Sequence, residues 1–385
     1  MSKFNKWQHF STSIFTQMTK KSVAANAVNL AQGFPDFDGP EVIKEAAVEA
    51  IRLGKNQYAP SHGIPELRAL LAQRRLEKTE INYCKDDETT VFSGATEAIF
   101  CAFQAFFGPK DEIIALAPFY DSYPAAAFGA GAKLVDVALT PGDWRLNTAA
   151  MEKAVTAQTK GLIINSPHNP TGRVFDDDEL AFLSAFAIKH DLTVITDEVY
   201  EELVFSPCKH RSLSTVKGMR ERTYVISSTS KTFSFTGWKI GYGFGPKAMT
   251  DAIRTVHQFS VFCSATPLQY GMVAALHLAD DYYQTFRKEY EGRRNKLAQI
   301  LKKHGFTFEL SEGTYFITAN YSKIRDVDDL TFADWLIETA GVATIPISAF
   351  YQDKEKALTE LRYVRFGFCK GVETLEQADK NFEKI

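Results

Sequence analysis

Short apolar runs alternate with longer stretches of helical periodicity through the middle of the chain. Residues 89–92, 112–117, 161–165, 192–196 and 223–227 are brief runs of apolar and β-branched side chains, the pattern of strands buried on both faces. Between them lie helical patterns such as residues 95–107. This alternation predicts an α/β layer fold with a mainly parallel sheet. The polar residues gather where the runs stop: Ser93-Gly94, Pro118, the turn from Ser166 to Gly172, Asp197-Glu198, and Ser228-Thr229-Ser230-Lys231. In open α/β sheets ligands bind beyond the carboxyl ends of the strands, so these five endings predict one site.

The flanks are patterned differently. Residues 1–40 form a turn-rich arm containing Ala31-Gln32-Gly33-Phe34-Pro35-Asp36-Phe37. After residue 280 a long helix over 282–304 is followed by predicted strands at 306–310 and 315–319. The organisation expected is a large domain over 41–279 and a smaller α+β domain over 280–385, with the arm packed as part of the latter.

Composition narrows the function. Hydrophobic residues make up 45% and charged residues 24% of the 385, as in an ordinary globular protein. The 44 basic and 47 acidic residues leave a net charge of −3, without the basic surplus of a nucleic-acid binder. No apolar run reaches the roughly 20 residues that cross a bilayer. The start, Met1-Ser2-Lys3-Phe4-Asn5-Lys6, is not followed by an apolar signal core, so a cytoplasmic, membrane-free location is expected. Five scattered cysteines without a Cys-x-x-Cys pair read as reduced thiols, and no histidine pair has helical ligand spacing, so no metal is expected.

The most informative stretch runs from Ser228 to Tyr242 and contains Lys231 and Lys239. A lysine just past a buried strand is desolvated, and a second cation nearby lowers its pKa further. Such an amine is a nucleophile able to form a Schiff base. Taken alone, the segment also fits a surface loop with two solvated lysines.

The segment resembles the lysine motif of class I, fold-type I aminotransferases dependent on pyridoxal phosphate (PLP), in particular the kynurenine and methionine aminotransferase branch. The likeness extends from Ile14 to Arg365. It implies a large domain with a mainly parallel seven-stranded sheet, and a Schiff-base role for Lys231 followed by proton transfer at the substrate. By the same resemblance Ser228, Lys239 and the turn Gly94-Ala95-Thr96 bind the cofactor phosphate, the last at a helix N-terminus. Many relatives have arginine at the position of Lys239. Tyr120 matches an aromatic that stacks on the cofactor ring, and Asp197 the carboxylate that keeps the ring nitrogen protonated. Tyr200 and Asn169 match contacts to the ring's phenolic oxygen. Each has a plainer reading: Tyr120 as a core aromatic, Asp197 as a helix cap, 169–172 as a turn, and 93–96 as a turn and cap. Ser166-Pro167 and Asn169-Pro170 are candidates for cis bonds.

Arg365 matches the anchor for the substrate α-carboxylate, with Asn169 and the Gly33 backbone completing the clamp. Tyr58 matches a tyrosine that reaches the neighbouring subunit's phosphate, which implies a homodimer with shared active sites. Dicarboxylate-specific relatives carry an arginine in the stretch 260–266; here Ser260-Val261-Phe262-Cys263-Ser264-Ala265-Thr266 has none. Phe34, Tyr58, Tyr120 and Phe262 would wall an aromatic pocket suited to thioether and aromatic side chains, although any of them could simply pack the core. The expected function is ping-pong transfer of the amino group of methionine or an aromatic amino acid to a 2-oxo acid. Kynurenine transamination, β-elimination from cysteine conjugates on the same scaffold, and a PLP-sensing regulator are the alternatives.

Overall fold

The computed structural model describes residues 6, 7, 10 and 12–385. Residues 1–5, 8, 9 and 11 of the expected arm, including most of the start read for a signal core, lie outside the described residues.

In chain order the strands are β1 (Val28–Asn29), β2 (Thr89–Phe92), β3 (Glu112–Ala117), β4 (Lys133–Ala138), β5 (Thr159–Asn165) and β6 (Thr193–Asp197). They continue with β7 (Thr223–Ser228), β8 (Gly241–Phe244), β9 (Phe316–Asn320), β10 (Val342–Ala343), β11 (Ile345–Pro346) and β12 (Tyr363–Gly367). Seven of them form one sheet in the order β2-β8-β7-β6-β5-β3-β4, with β8 alone antiparallel to its neighbours. Both faces of this sheet are covered. Ile113, Ala115, Ile163 and Ile195 pack into the core on one side, and Ile114, Leu116, Leu162, Ile164 and Val194 into the core on the other. That two-sided burial is why these strands read as continuous apolar runs. Each fully buried aliphatic side chain contributes about 1.5–3 kcal/mol.

A three-stranded antiparallel sheet, β11-β12-β9, belongs to the C-terminal part. Its core gathers Leu297, Leu301, Phe306, Tyr321, Phe332, Phe366 and Phe382. The N-terminal arm joins this part: β1 pairs with β10, and Met18 and Ala31 pack with Ala333, Ile345 and Phe350.

The long C-terminal helix spans Asp280–Lys303, close to the span the periodicity predicts. The strand expected at 306–310 does not form. Only Thr307 bridges to Asn320, and Leu310 is exposed, so Phe306 is held by side-chain burial rather than by a strand ladder. β4 and β8 were not visible as runs. β4 is buried only at Leu134 and Val137, and β8 is glycine-rich, with Tyr224 and the turn at Gly94 packed closely against it.

Candidate active site

The carboxyl ends of the central strands surround a cavity of about 150 Å³. It is lined by the predicted residues Gly94, Ala95, Thr96, Tyr120, Asn169, Asp197, Tyr200, Ser228, Lys231 and Lys239.

Lys231 sits in the short helix Thr229–Thr232 that follows β7 directly. Its Nζ lies 3.4 Å from the Gly33 carbonyl and within 6 Å of the Tyr200 and Tyr315 ring centres, at 5.8 and 5.5 Å. Burial lowers its pKa to about 8; the positive charges of Lys239 and Arg365 act in the same direction, against Cys369 and Asp197. The amine is therefore largely protonated and unreactive below about pH 8 and neutral above it. Reductive alkylation of Lys231 in the cofactor-free protein by a small aldehyde is expected to accelerate up to about pH 8 and then level. An ordinary lysine would continue to gain toward its usual pKa of about 10.4. Peptide mass mapping across pH measures this, and a rate still climbing steeply beyond pH 9 contradicts it.

Asp197 is the last residue of β6 and is almost fully buried. The Tyr123 hydroxyl donates to its Oδ2 at 2.7 Å, and the Val199 N–H to its Oδ1 at 3.3 Å. Burial raises its pKa to about 6, opposed by the Tyr123 and Val199 hydrogen bonds and by Lys231. Among the described residues it makes no ion pair, although it is a carboxylate held away from water. The next residue, Glu198, is paired with the buried Arg75 at 3.0 Å, which fixes the loop behind Asp197.

The turn 93–96 opens the helix Ala95–Phe106 without a side-chain cap, leaving N–H groups at a positive helix end. Gly94 has φ +90°, and a Cβ there would stand 3.0 Å from Lys239 Nζ. A Cβ on Gly241 would come 2.5 Å from the Gly94 carbonyl carbon, so only glycine allows β8 to press against this turn. Ser228 caps the Lys231 helix, and its hydroxyl bonds to that of Ser230 at 2.9 Å.

Both Ser166-Pro167 and Asn169-Pro170 are cis. The Asn169 N–H donates to Asn165 Oδ1 at 2.7 Å, and its Oδ1 accepts Arg365 Nη1 at 2.8 Å. Arg365 is 1% exposed, stacked 3.8 Å from the Phe316 ring centre, and its pKa is pushed down to about 10 by burial. Its Nη2 donates to the Ala31 carbonyl at 2.9 Å, while its Nε has no partner among the described residues.

Five consecutive arm carbonyls are taken up in the same region. Leu30 accepts from the Gly367 N–H, Ala31 from Arg365, Gln32 from Cys369 Sγ, Gly33 from Tyr315 and Lys231, and Phe34 from Lys370 Nζ. Gly33 thus reaches the cavity rim through its carbonyl.

Tyr58 and Phe262 stand apart from the cavity. They pack edge to face at 5.2 Å on the surface and are 83% and 43% exposed; Phe34 is 45% exposed. Within one chain, only Tyr120 of the four expected pocket aromatics lines the cavity.

The sequence reading missed Tyr123, Asn165, Ser230, Tyr315 and Phe316. Their signal is tertiary: Tyr123 lies 74 residues from Asp197, and nothing local marks it.

Fold and cavity together define an α/β enzyme with a desolvated lysine facing a buried carboxylate at the strand ends. The family model of class I and II aminotransferases matches residues 25–369, and the chain belongs to that family. It is 35% identical over 381 residues to a methionine aminotransferase from Escherichia coli, covering 99% of this chain and 98% of the relative. It is 34% identical over 402 residues to human kynurenine–oxoglutarate transaminase 3, covering 96% and 87%. The solved N-succinyldiaminopimelate aminotransferase of Mycobacterium tuberculosis is 40% identical over 99% of both chains and superposes with a TM-score of 0.95. The chain is an aminotransferase with the fold-type I architecture. No helix among the described residues is long and apolar enough to cross a membrane.

Proposed function

We propose that this aminotransferase uses PLP on Lys231 and takes methionine or an aromatic amino acid as donor, with a 2-oxo acid as acceptor. The observation that carries the cofactor reading is Asp197, a buried carboxylate with two neutral donors and no ion-pair partner among the described residues, in a cavity that also holds the depressed-pKa lysine. A protonated ring nitrogen supplies the missing cation. The uncapped turn 93–96, Ser228 and Lys239 suit a phosphate at the opposite end.

When bound, the cofactor supplies an electrophilic aldehyde and a ring that accepts the electron pair left at the donor Cα. Arg365 and Asn169 hold the donor's α-carboxylate, with the Gly33 backbone beside them. Lys231 Nζ takes the Cα proton and returns a proton on the far side of the C–N bond, a role open to it because a pKa of about 8 leaves a sizeable neutral fraction of the amine near that pH. Asp197, oriented by Tyr123, keeps the proton on the ring nitrogen. The Tyr200 hydroxyl is held protonated by burial, which raises its pKa, so it would be a donor to the ring's phenolic oxygen. The acceptor oxo acid runs the same steps in reverse.

A second copy of the chain completes the site in this reading. Tyr58 and Phe262 are aromatic, exposed and adjacent, and Phe259, three residues before Phe262 in the chain, is 82% exposed, apolar surface of the kind subunit interfaces cover. Offered to the partner's cavity, Tyr58 and Phe262 would bring aromatic walls without an arginine for a distal carboxylate. This favours methionine, phenylalanine or kynurenine over aspartate, and over donors with a distal carboxylate such as the M. tuberculosis relative's name implies. A half-reaction screen following loss of the aldehyde-form absorbance with each donor tests the preference. Methionine is expected to exceed aspartate at least tenfold in kcat/KM; the reverse order overturns it.

A further inference from the structure

Next to the 93–96 turn lie three side chains with no part in the steps above. Glu97 and Cys101 are one turn apart on the helix Ala95–Phe106, and His257 lies fully buried on the helix Lys247–Ser260. His257 Nδ1 is 2.9 Å from Glu97 Oε1, and the Cys101 thiol donates to the same oxygen at 2.8 Å. Their donor atoms lie within 4.8 Å of one another, a spacing suited to a cation, but each is already engaged in a hydrogen bond. His257 Nε2 faces the Ser61 carbonyl at 2.8 Å. A carbonyl only accepts, so Nε2 carries a hydrogen toward Ser61, while Nδ1 is hydrogen-bonded to the Glu97 carboxyl group.

Three loops meet at this residue. Glu97 Oε2 accepts the Ser93 N–H at 3.1 Å, which ties His257 to the turn assigned to the chain's own phosphate. Ser61 follows Tyr58 by one short turn. The His257 carbonyl accepts the N–H groups of both Val261 and Phe262 at 3.1 Å, where Phe262 is held at φ +69°. The two offered loops are also joined to each other. Thr266 Oγ1 accepts the Ala59 N–H at 3.0 Å and donates to the Gln57 carbonyl at 2.7 Å. Ser264 Oγ meets Ser93 Oγ at 3.3 Å, a second link back to the phosphate turn.

We propose that His257 is a positioning residue that couples the two active sites of the dimer. Its side chain fixes the phosphate turn of its own site through Glu97 and the Tyr58 loop it lends to the partner's site through Ser61, and Thr266 carries that tie on to the Phe262 loop. The inference rests on the shared-site reading above.

Hybrid dimers of a Lys231→Ala chain and a differently tagged intact chain have one working site, which borrows its outer loops from the Lys231→Ala chain. His257→Gln keeps its donors on a single amide nitrogen and so does not span Glu97 and Ser61, which lie at opposite ring nitrogens of the histidine. Placed on the Lys231→Ala chain, it is expected to raise both the methionine KM and the cofactor dissociation constant of the intact site about tenfold, the size of losing one charge-assisted hydrogen bond. The dissociation constant is read from the fraction of the tagged chain trapped by borohydride at each PLP concentration. Placed on the intact chain, the same substitution is expected to weaken cofactor retention and leave the methionine KM within twofold. No change at the intact site when the substitution is on the other chain overturns the coupling, as does a fall in Tm without this split between chains. Glu97→Gln carries the same test should His257→Gln fail to fold. Tyr58→Phe on the Lys231→Ala chain is the control: if it too leaves the intact site unchanged, the shared-site reading is what fails.

Discussion

Replacing Lys231 with alanine is expected to lower the methionine half-reaction by about ten-thousandfold, the upper end of what a positioned acid–base group supplies. The methyl group cannot take the Cα proton, and none of the other lining residues replaces it. Tyr200 has its pKa raised by burial, and Lys239 belongs to the turn at the phosphate end. The fold should survive, because the lysine's hydrogen bond to Gly33 is a long one, 3.4 Å, and its removal takes a cationic amine out of a desolvated position. Single-turnover kinetics with excess enzyme isolates the proton-transfer step. A rate within tenfold of the unmodified protein would remove Lys231 from the chemistry.

Arg365→Lys is expected to reduce kcat/KM for methionine by about a hundredfold to a thousandfold. The guanidinium makes two directed bonds, to Asn169 Oδ1 and the Ala31 carbonyl, while stacked on Phe316. An ammonium cannot present that planar fork to a carboxylate. Truncating one partner of a buried charged contact costs about 2–5 kcal/mol, which sets the range. Donor variants discriminate the cause. Methionine and methionine amide, which lacks the α-carboxylate, should differ greatly with the unmodified protein and little with Arg365→Lys. An undiminished difference would place the carboxylate elsewhere.

The large sheet was legible because β3, β5, β6 and β7 are buried on both faces, so their apolar runs stand out without alternation. β8 gave no such signal: its glycines are there to let Tyr224 and the Gly94 turn approach, which only the folded packing shows. The strand expected at 306–310 failed for a related reason. Phe306 is a core side chain, but burial of one residue does not make a ladder, which needs paired backbone on a neighbouring strand, and only Thr307 is bridged. At the site, Lys231, Asp197 and Asn169 were legible as polar residues interrupting apolar runs at strand ends. Tyr123 and Phe316 were not, because a tyrosine in the helix Ser122–Ala130 and a phenylalanine opening β9 look like core residues until Asp197 and Arg365 are placed beside them.

The row of carbonyls at residues 30–34 has a consequence for how this arm tolerates change. A large part of its tether is main-chain oxygen, so the attachment is encoded by spacing along the polypeptide as well as by the buried side chains of Leu30 and Ala31. A deletion or insertion of a single residue there would throw all five acceptors out of step at once. Side-chain replacements are tolerated there only as far as the buried Leu30 and Ala31 keep their volume and the Gln32 amide keeps its bond to the Phe15 carbonyl.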